Sequence, residues 1–344
     1  MKFVHADRQK QHDPVMFLSS GAQKPNPEVP ERLDRLIGGA KAAGLERIDA
    51  SDHGLGPIAA VHTPEYIAFL QNIYTRWQRM PDASAEVIPN IHPDRRDFPY
   101  PASAVGQAGY HMADTACPIS EHTFESAYWS AQSAIGAARL VRDGGERAAY
   151  GLSRPPGHHA FSDLAGGFCF FNNSAIAAQE FRKSADRVAI LDVDLHHGNG
   201  TQGIFYQRAD VMTVSIHADP VRFYPFFWGH AAERGEGPGL GYNLNLPLER
   251  GSKDDVFLEA LEAGLKRIRA YAPDAVVLAL GLDAFEGDPF GGLGVTTEGF
   301  ARIGAACAGL NVPMAIIQEG GYLCDALGDN LTAFLNGFGE AAAA

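Results

Sequence analysis

Val188-Ala189-Ile190-Leu191-Asp192-Val193-Asp194-Leu195-His196-His197-Gly198-Asn199-Gly200-Thr201-Gln202 is the stretch on which the reading of the chain turns. It begins as an apolar, β-branched run, the pattern of a strand buried on both faces. Asp192, Asp194 and His196 then fall at alternate positions before a glycine-flanked turn. Residues two apart in a strand share a face, so the three are expected to point the same way. Two carboxylates and an imidazole crowded together are costly without a cation between them. Asp and His are good zinc ligands, and open α/β sheets keep their sites at the carboxyl ends of strands. An isolated Asp-x-His reads as a capping Asp beside a loop His. Three polar residues closing an apolar strand favour a metal.

Outward from this stretch the pattern alternates strand and helix, which implies a parallel sheet covered on both faces. Strands are expected at residues 2–6, 148–153, 188–194, 211–217, 242–248, 275–283 and 314–319. Helices are expected at 31–44, 64–77, 123–141, 172–183, 201–206, 253–271 and 297–309, with a last one from Leu323. Residues 6–30, with Pro14, Pro25, Pro27 and Pro30, read as a long loop. Residues 79–120 are rich in proline and charge, and read either as a surface excursion or as an insertion shaping an active-site rim or an oligomer contact. No repeat or linker divides the 344 residues, so a single domain is expected.

Composition narrows the function classes. A hydrophobic content of 46% and a charged content of 20% describe a soluble globular chain. No apolar run approaches the ~20 residues of a membrane helix and the N-terminus is no signal peptide, so the expected location is the cytoplasm. A formal net charge of −13 argues against nucleic acid as a partner, because phosphate binding needs basic patches. An acidic surface also suits cationic substrates such as amines. Cys117, Cys169, Cys307 and Cys324 lack CxxC spacing and read as free thiols.

Other expected strand ends carry polar groups as well. His158 and His159 follow Pro155, Pro156 and Gly157, which stiffen the approach and present both imidazoles; one of them suits a general base beside a metal. Asp192 is a natural partner for one imidazole and Asn199 for the other; the carboxylate raises basicity and the amide orients. Asp283 closes the 275–283 strand as a third ligand. Glu319-Gly320-Gly321-Tyr322 permits a tight turn that aims the Tyr322 hydroxyl into the site, although Tyr322 alone also reads as a core aromatic.

Taken as a set, these segments resemble the histone deacetylase family, and within it the acetylpolyamine amidohydrolase and class II-like branch. The matching stretches are 61–70, 154–160, 166–173, 192–202, 281–285 and 319–322. The resemblance implies the α/β arginase/deacetylase fold, an open sheet of about eight parallel strands with helices on both faces. It implies one zinc on Asp194, His196 and Asp283. It makes His159 the general base and acid, His158 with Asp192 the electrostatic pair, and Tyr322 the hydroxyl that polarises the amide carbonyl. Gly167, Phe168 and Tyr224 correspond to the walls of a narrow acyl-lysine tunnel. A structural potassium is implied on Asp192, Asp194, His196, Ser215 and Ile216, and a weaker one near Phe205, Arg208, Val211 and Tyr242.

The activity so implied is zinc-dependent removal of acetyl groups from N-acylated amines, polyamines first, by a homodimer or higher homo-oligomer. Acetyl-lysine proteins and peptides or other neutral amides are the alternatives. Val105 stands where the polyamine enzymes are expected to carry an acid; Asp13, Glu28, Asp94 and Asp97 are candidates to replace it. A binuclear manganese ureohydrolase is disfavoured because Ala284 and Phe285 follow Asp283 where a second ion needs a ligand. A non-catalytic binding protein is disfavoured because no ligand, base or tyrosine has been lost.

Overall fold

The computed structural model describes residues 1–94, 96–97 and 99–343. Its strands are β1 (Lys2–His5), β2 (Met16–Ser19), β3 (Ala22–Pro25), β4 (Glu46–Asp49), β5 (Ala148–Gly151), β6 (Val188–Asp192), β7 (Val211–Ala218), β8 (Asn243–Leu248), β9 (Ala275–Leu280) and β10 (Met314–Gln318). Its helices are α1 (Glu31–Ala42), α2 (Gly56–Ala59), α3 (Pro64–Trp77), α4 (Ala104–His111), α5 (Thr123–Arg142), α6 (Asn173–Phe181), α7 (Asn199–Phe205), α8 (Asp254–Tyr271), α9 (Thr297–Ala308) and α10 (Leu327–Ala343). Eight strands form one sheet in the order β4-β1-β5-β10-β9-β6-β7-β8, and every pairing in it is parallel. This is the expected arginase/deacetylase architecture.

Both faces of the sheet are covered, which is why its central strands are apolar throughout. Leu191, Leu278 and Ile316 face a core with Leu33, Leu261, Phe300 and Phe334 of α1, α8, α9 and α10. The alternate residues Ile190, Val277 and Ile317 pack on Ala134, Ala138, Ala178 and Phe181 of α5 and α6. Small residues there let the two helices approach closely. The helix starts are built locally. Thr63 accepts from the Tyr66 N–H ahead of Pro64, and Asn172 accepts from the Ala175 N–H.

Three expectations are corrected. Residues 6–30 are not a structureless loop: they hold a 3₁₀ turn, Asp7–Gln11, and the β2–β3 hairpin. The hairpin turns through Ser20 and Gly21, both at positive φ, a two-residue link that the sequence carried in plain view. Strand β4 and helix α4 were missed. GluArgIleAsp, on a sheet edge, shows too few apolar residues to read as a strand. Helix α4 lies in the Pro-rich 79–120 stretch, with Ser103 capping it through the Gly106 N–H.

The third correction concerns the opening stretch itself. Strand β6 stops at Asp192, so Asp194 and His196 do not share a strand face with it. The Asp194 N–H donates to Asp192 Oδ1 (3.0 Å) and the His196 N–H to Asp194 Oδ1 (2.8 Å), which bends the chain away from the sheet. Likewise β9 stops at Leu280, before Asp283, and β10 at Gln318.

Candidate active site

Parallel strands deliver their carboxyl ends to one edge, and the neighbours β5, β10, β9 and β6 lead there into the segments that carry His158 and His159, Tyr322, Asp283, and Asp192, Asp194 and His196. Asp194, His196 and Asp283 are buried, with one ligand atom from each within 4.8 Å of the others. His196 Nδ1 lies 3.1 Å from Asp283 Oδ2 and 3.3 Å from Asp194 Oδ1. Main-chain donors hold both carboxylates: Gly320 N–H to Asp194 Oδ2 (2.8 Å) and Leu195 N–H to Asp283 Oδ1 (3.0 Å). Glycine is required beside them. A Cβ at Gly320 would stand 2.3 Å from Asp283 Oδ2, and one at Gly281 would stand 2.2 Å from Asp194 Oδ2.

These residues fit a divalent cation. Burial raises the Asp283 carboxyl, and the Asp194 charge beside it adds to the rise. Burial alone would lower the His196 imidazole, yet the two carboxylates outweigh it and lift it to about 9. A pocket that draws a proton onto an imidazole this strongly draws a metal better.

Two imidazoles lie beside the triad, their ring centres 4.0 Å apart, and their surroundings set them in opposite charge states. His158 Nδ1 is 2.9 Å from Asp192 Oδ2. Burial disfavours its charge, but Asp194 and Asp192 raise it to about 10. His159 Nδ1 donates to Asn199 Oδ1 at 2.6 Å, which leaves Nε2 free to accept a proton. Burial, reinforced by the charges of His158 and His196, holds it well below 6.5. Tyr322 is buried nearby, its ring 4.6 Å from Phe290.

With the geometry in place, known proteins can be compared. The histone deacetylase domain model matches residues 26–338. The chain belongs to the histone deacetylase family. It is 48% identical over 340 residues to the acetylpolyamine amidohydrolase of Burkholderia pseudomallei, covering 98% of each chain. Identity to acetylpolyamine amidohydrolase 1 of Pseudomonas aeruginosa is 43%, over 99% of this chain and 100% of that one. A crystal structure of acetylpolyamine aminohydrolase from Burkholderia pseudomallei superposes with a TM-score of 0.96 at 47% identity, covering 99% of both chains. This histone deacetylase family member is a deacetylase/amidohydrolase enzyme, so the non-catalytic alternative falls away.

In this deacetylase the site opens into a cavity of about 420 Å³, reached by His159, His196 and Tyr322 and walled by Gly167, Phe168 and Tyr224. Gly167 sits at positive φ, and a Cβ there would strike the His159 ring at 2.4 Å.

Several residues that line the cavity or brace its walls were not foreseen. Asp114 lines the cavity, and its Oδ2 accepts from the Tyr224 hydroxyl (2.7 Å) and the Gly167 N–H (3.1 Å), tying two walls together. None of Asp13, Glu28, Asp94 and Asp97 lines it. Glu28 is instead buried against Arg32 and Arg154. Phe17 of β2 packs edge-on to Phe168, bringing the hairpin to the rim. Asp288 accepts from the main-chain N–H groups of Tyr322 and Phe290, both at 2.9 Å. Arg32 donates to the carbonyls of Glu319 and Gly321 and lies 4.9 Å from the Tyr322 ring centre. Glu319 accepts from the N–H groups of Gly157 (2.6 Å) and His158 (3.0 Å) and from Ser174 Oγ (2.7 Å). Most of these contacts span long sequence separations, so no local pattern announces them. The Asp114-x-Ala116 and Asp288-x-Phe290 turns, the Glu28–Arg32 spacing and the Ser20-Gly21 link are the local traces.

Proposed function

We propose that this enzyme is a zinc-dependent amidohydrolase that removes acetyl groups from small N-acylated amines, acetylated polyamines first. The observation that carries this reading is the convergence of Asp194, His196 and Asp283 at a cavity that also receives a neutral His159 and Tyr322. Asp194, His196 and Asp283 would hold the zinc, which when bound supplies Lewis acidity and eases deprotonation of water.

The remaining roles belong to the chain's own groups. His159 Nε2, unprotonated, takes a proton from the attacking water and later gives it to the leaving amine. The Tyr322 hydroxyl donates to the amide oxygen as negative charge gathers there. His158, kept positive by Asp192, stabilises that same charge. Asn199 fixes the His159 ring so that its free nitrogen faces the reacting atoms. A C–O bond forms, the C–N bond breaks, and acetate and a protonated amine leave.

Two observations support an amine substrate. The similar proteins of Burkholderia and Pseudomonas are named acetylpolyamine amidohydrolases. Asp114 also sets one carboxylate in an otherwise largely apolar cavity, the arrangement that suits an alkylammonium chain. Acetyl-lysine peptides and neutral amides are the competing substrates. Turnover of acetylputrescine, an acetyl-lysine peptide and a neutral anilide by zinc-loaded and chelated enzyme tests the reading. Activity on the anilide alone, or activity indifferent to chelation, sinks it.

Further parts of the reading are structural. A potassium on Asp192, Asp194, His196, Ser215 and Ile216 is supported by the register that sets Asp192 opposite Ser215. A weaker one is proposed near Phe205, Arg208, Val211 and Tyr242. The 344 residues are taken as one deacetylase domain that acts as a homodimer or higher homo-oligomer in the cytoplasm. Among the described residues no helix is long and apolar enough to cross a membrane.

A further inference from the structure

Beside the catalytic cavity lies a second one of about 500 Å³, and the two share Asp114, Tyr224 and Phe226. Phe161, Tyr224, Phe226, Phe227 and Trp228 give its wall five aromatic rings. Phe161 and Trp228 meet edge to face with ring centres 5.4 Å apart, and Phe226 and Phe227 stand at its rim. Phe227 is 84% exposed and Phe226 49%, an unusual placement for two phenylalanines unless something covers them. Phe226 also keeps a φ of +60°, a conformation that costs a bulky residue free energy and concentrates at ligand sites.

The charges around this cavity favour a cation. Asp114 and Asp163 contribute carboxylates. Arg96 is committed: it grips both Asp163 oxygens (3.1 and 2.9 Å), donates to the Tyr110 carbonyl and stacks on the Tyr110 ring at 4.2 Å. Among the described lining residues one negative charge is left over. Aromatic faces with a surplus carboxylate are what an organic ammonium group binds, through the ring quadrupoles and the nearby charge.

We infer that this cavity is a second binding pocket, taking the distal ammonium groups of a long acylated polyamine whose acetyl end occupies the catalytic cavity. The inference rests on the acylated-amine reading above and adds where the far end of the substrate goes. A short acylated diamine ends before reaching Trp228 and is indifferent to it. A longer one crosses the shared Tyr224–Phe226 edge and lays its secondary ammonium groups against Phe161 and Trp228.

The test compares acetylputrescine, N-acetylspermine and a neutral amide of the same length on the parent enzyme and on Trp228→Ala and Phe161→Leu. In both variants the KM for N-acetylspermine is expected to rise about fivefold relative to that for acetylputrescine, the factor that one cation–π contact of about 1 kcal/mol supplies, with kcat unmoved. Equal changes for both amines, or none, overturn the inference; an equal loss for the neutral amide shows an apolar wall and overturns it too. A parent enzyme that hydrolyses neither amine overturns the functional reading instead. The pocket is then tested directly by spermine quenching of Trp228 fluorescence, read as the difference between parent and Trp228→Phe, and no difference refutes it.

Discussion

Acid will weaken this protein through His62, and a single substitution removes that weakness. His62 is buried, with Nδ1 3.2 Å from the Ser162 carbonyl and Nε2 accepting the Asn172 N–H at 2.9 Å. Only the neutral imidazole satisfies both contacts, because a second ring proton would face the Asn172 N–H. Burial lowers its pKa from 6.5 to about 4, against a small upward pull from the Ser162 carbonyl. Between these values the unfolded chain binds the extra proton and the folded one does not. Stability therefore falls as pH drops from 6.5 towards 4, and the whole loss is in place below 4. The shift corresponds to about 3 kcal/mol in full and about 2.5 kcal/mol at pH 4.5. That is a large share of a typical domain's ~5–15 kcal/mol. His62→Gln keeps one donor for Ser162 and one acceptor for Asn172 but cannot titrate. Urea unfolding should find the variant within about 1 kcal/mol of the parent at pH 7 and about 2.5 kcal/mol more stable than it at pH 4.5. The other buried histidines cancel in this comparison. Stability curves that run parallel from pH 7 to 4.5 would refute the argument.

Three further outcomes are expected. Tyr322→Phe should lower kcat on the order of 100-fold or more while moving KM little, since the lost hydroxyl acts on the charge that develops during reaction; steady-state kinetics decides, and near-normal turnover removes that role. Asp283→Asn should weaken zinc retention at least ~10-fold in a chelator competition followed by elemental analysis, because the triad loses a charged donor; unchanged retention would place the metal elsewhere. Arg32→Met leaves the buried Glu28 with Arg154 as its remaining cation and frees the carbonyls of Glu319 and Gly321. It should cost about 3–5 kcal/mol in urea unfolding and lower kcat through a looser Tyr322, whereas a loss under about 1 kcal/mol would show the network to be dispensable.

The residues nearest the chemistry were legible because each closes or follows an apolar strand of a parallel sheet. Periodicity ends apolar strands at or shortly before Asp192, His158, Asp283 and Tyr322, and residue chemistry then suggests a cation near the carboxylates; the role of Tyr322 came from the resemblance to the family. The reason given for the triad was nonetheless wrong. Asp194 and His196 meet Asp283 through an Asp-capped bend beyond β6, not through strand alternation. The outcome survives because both routes end at the same sheet edge.

What the sequence by itself determined is the alternation of strand and helix, and hence the layered parallel fold, because these depend on local hydrophobic period; the roles expected of the site residues came from the resemblance to the histone deacetylase family. What only the tertiary structure decided is how those groups are held and what surrounds them. The opposite charge states of His158 and His159 depend on the Asp194 and Asp192 carboxylates beside the first, and on burial beside His158 and His196 for the second. Arg32 reaches Glu319 and Gly321 from 287 and 289 residues off, and Asp114 meets Tyr224 across 110. Burial and such distant partners set proton affinity and rotamer, and they exist only once the chain has closed upon itself.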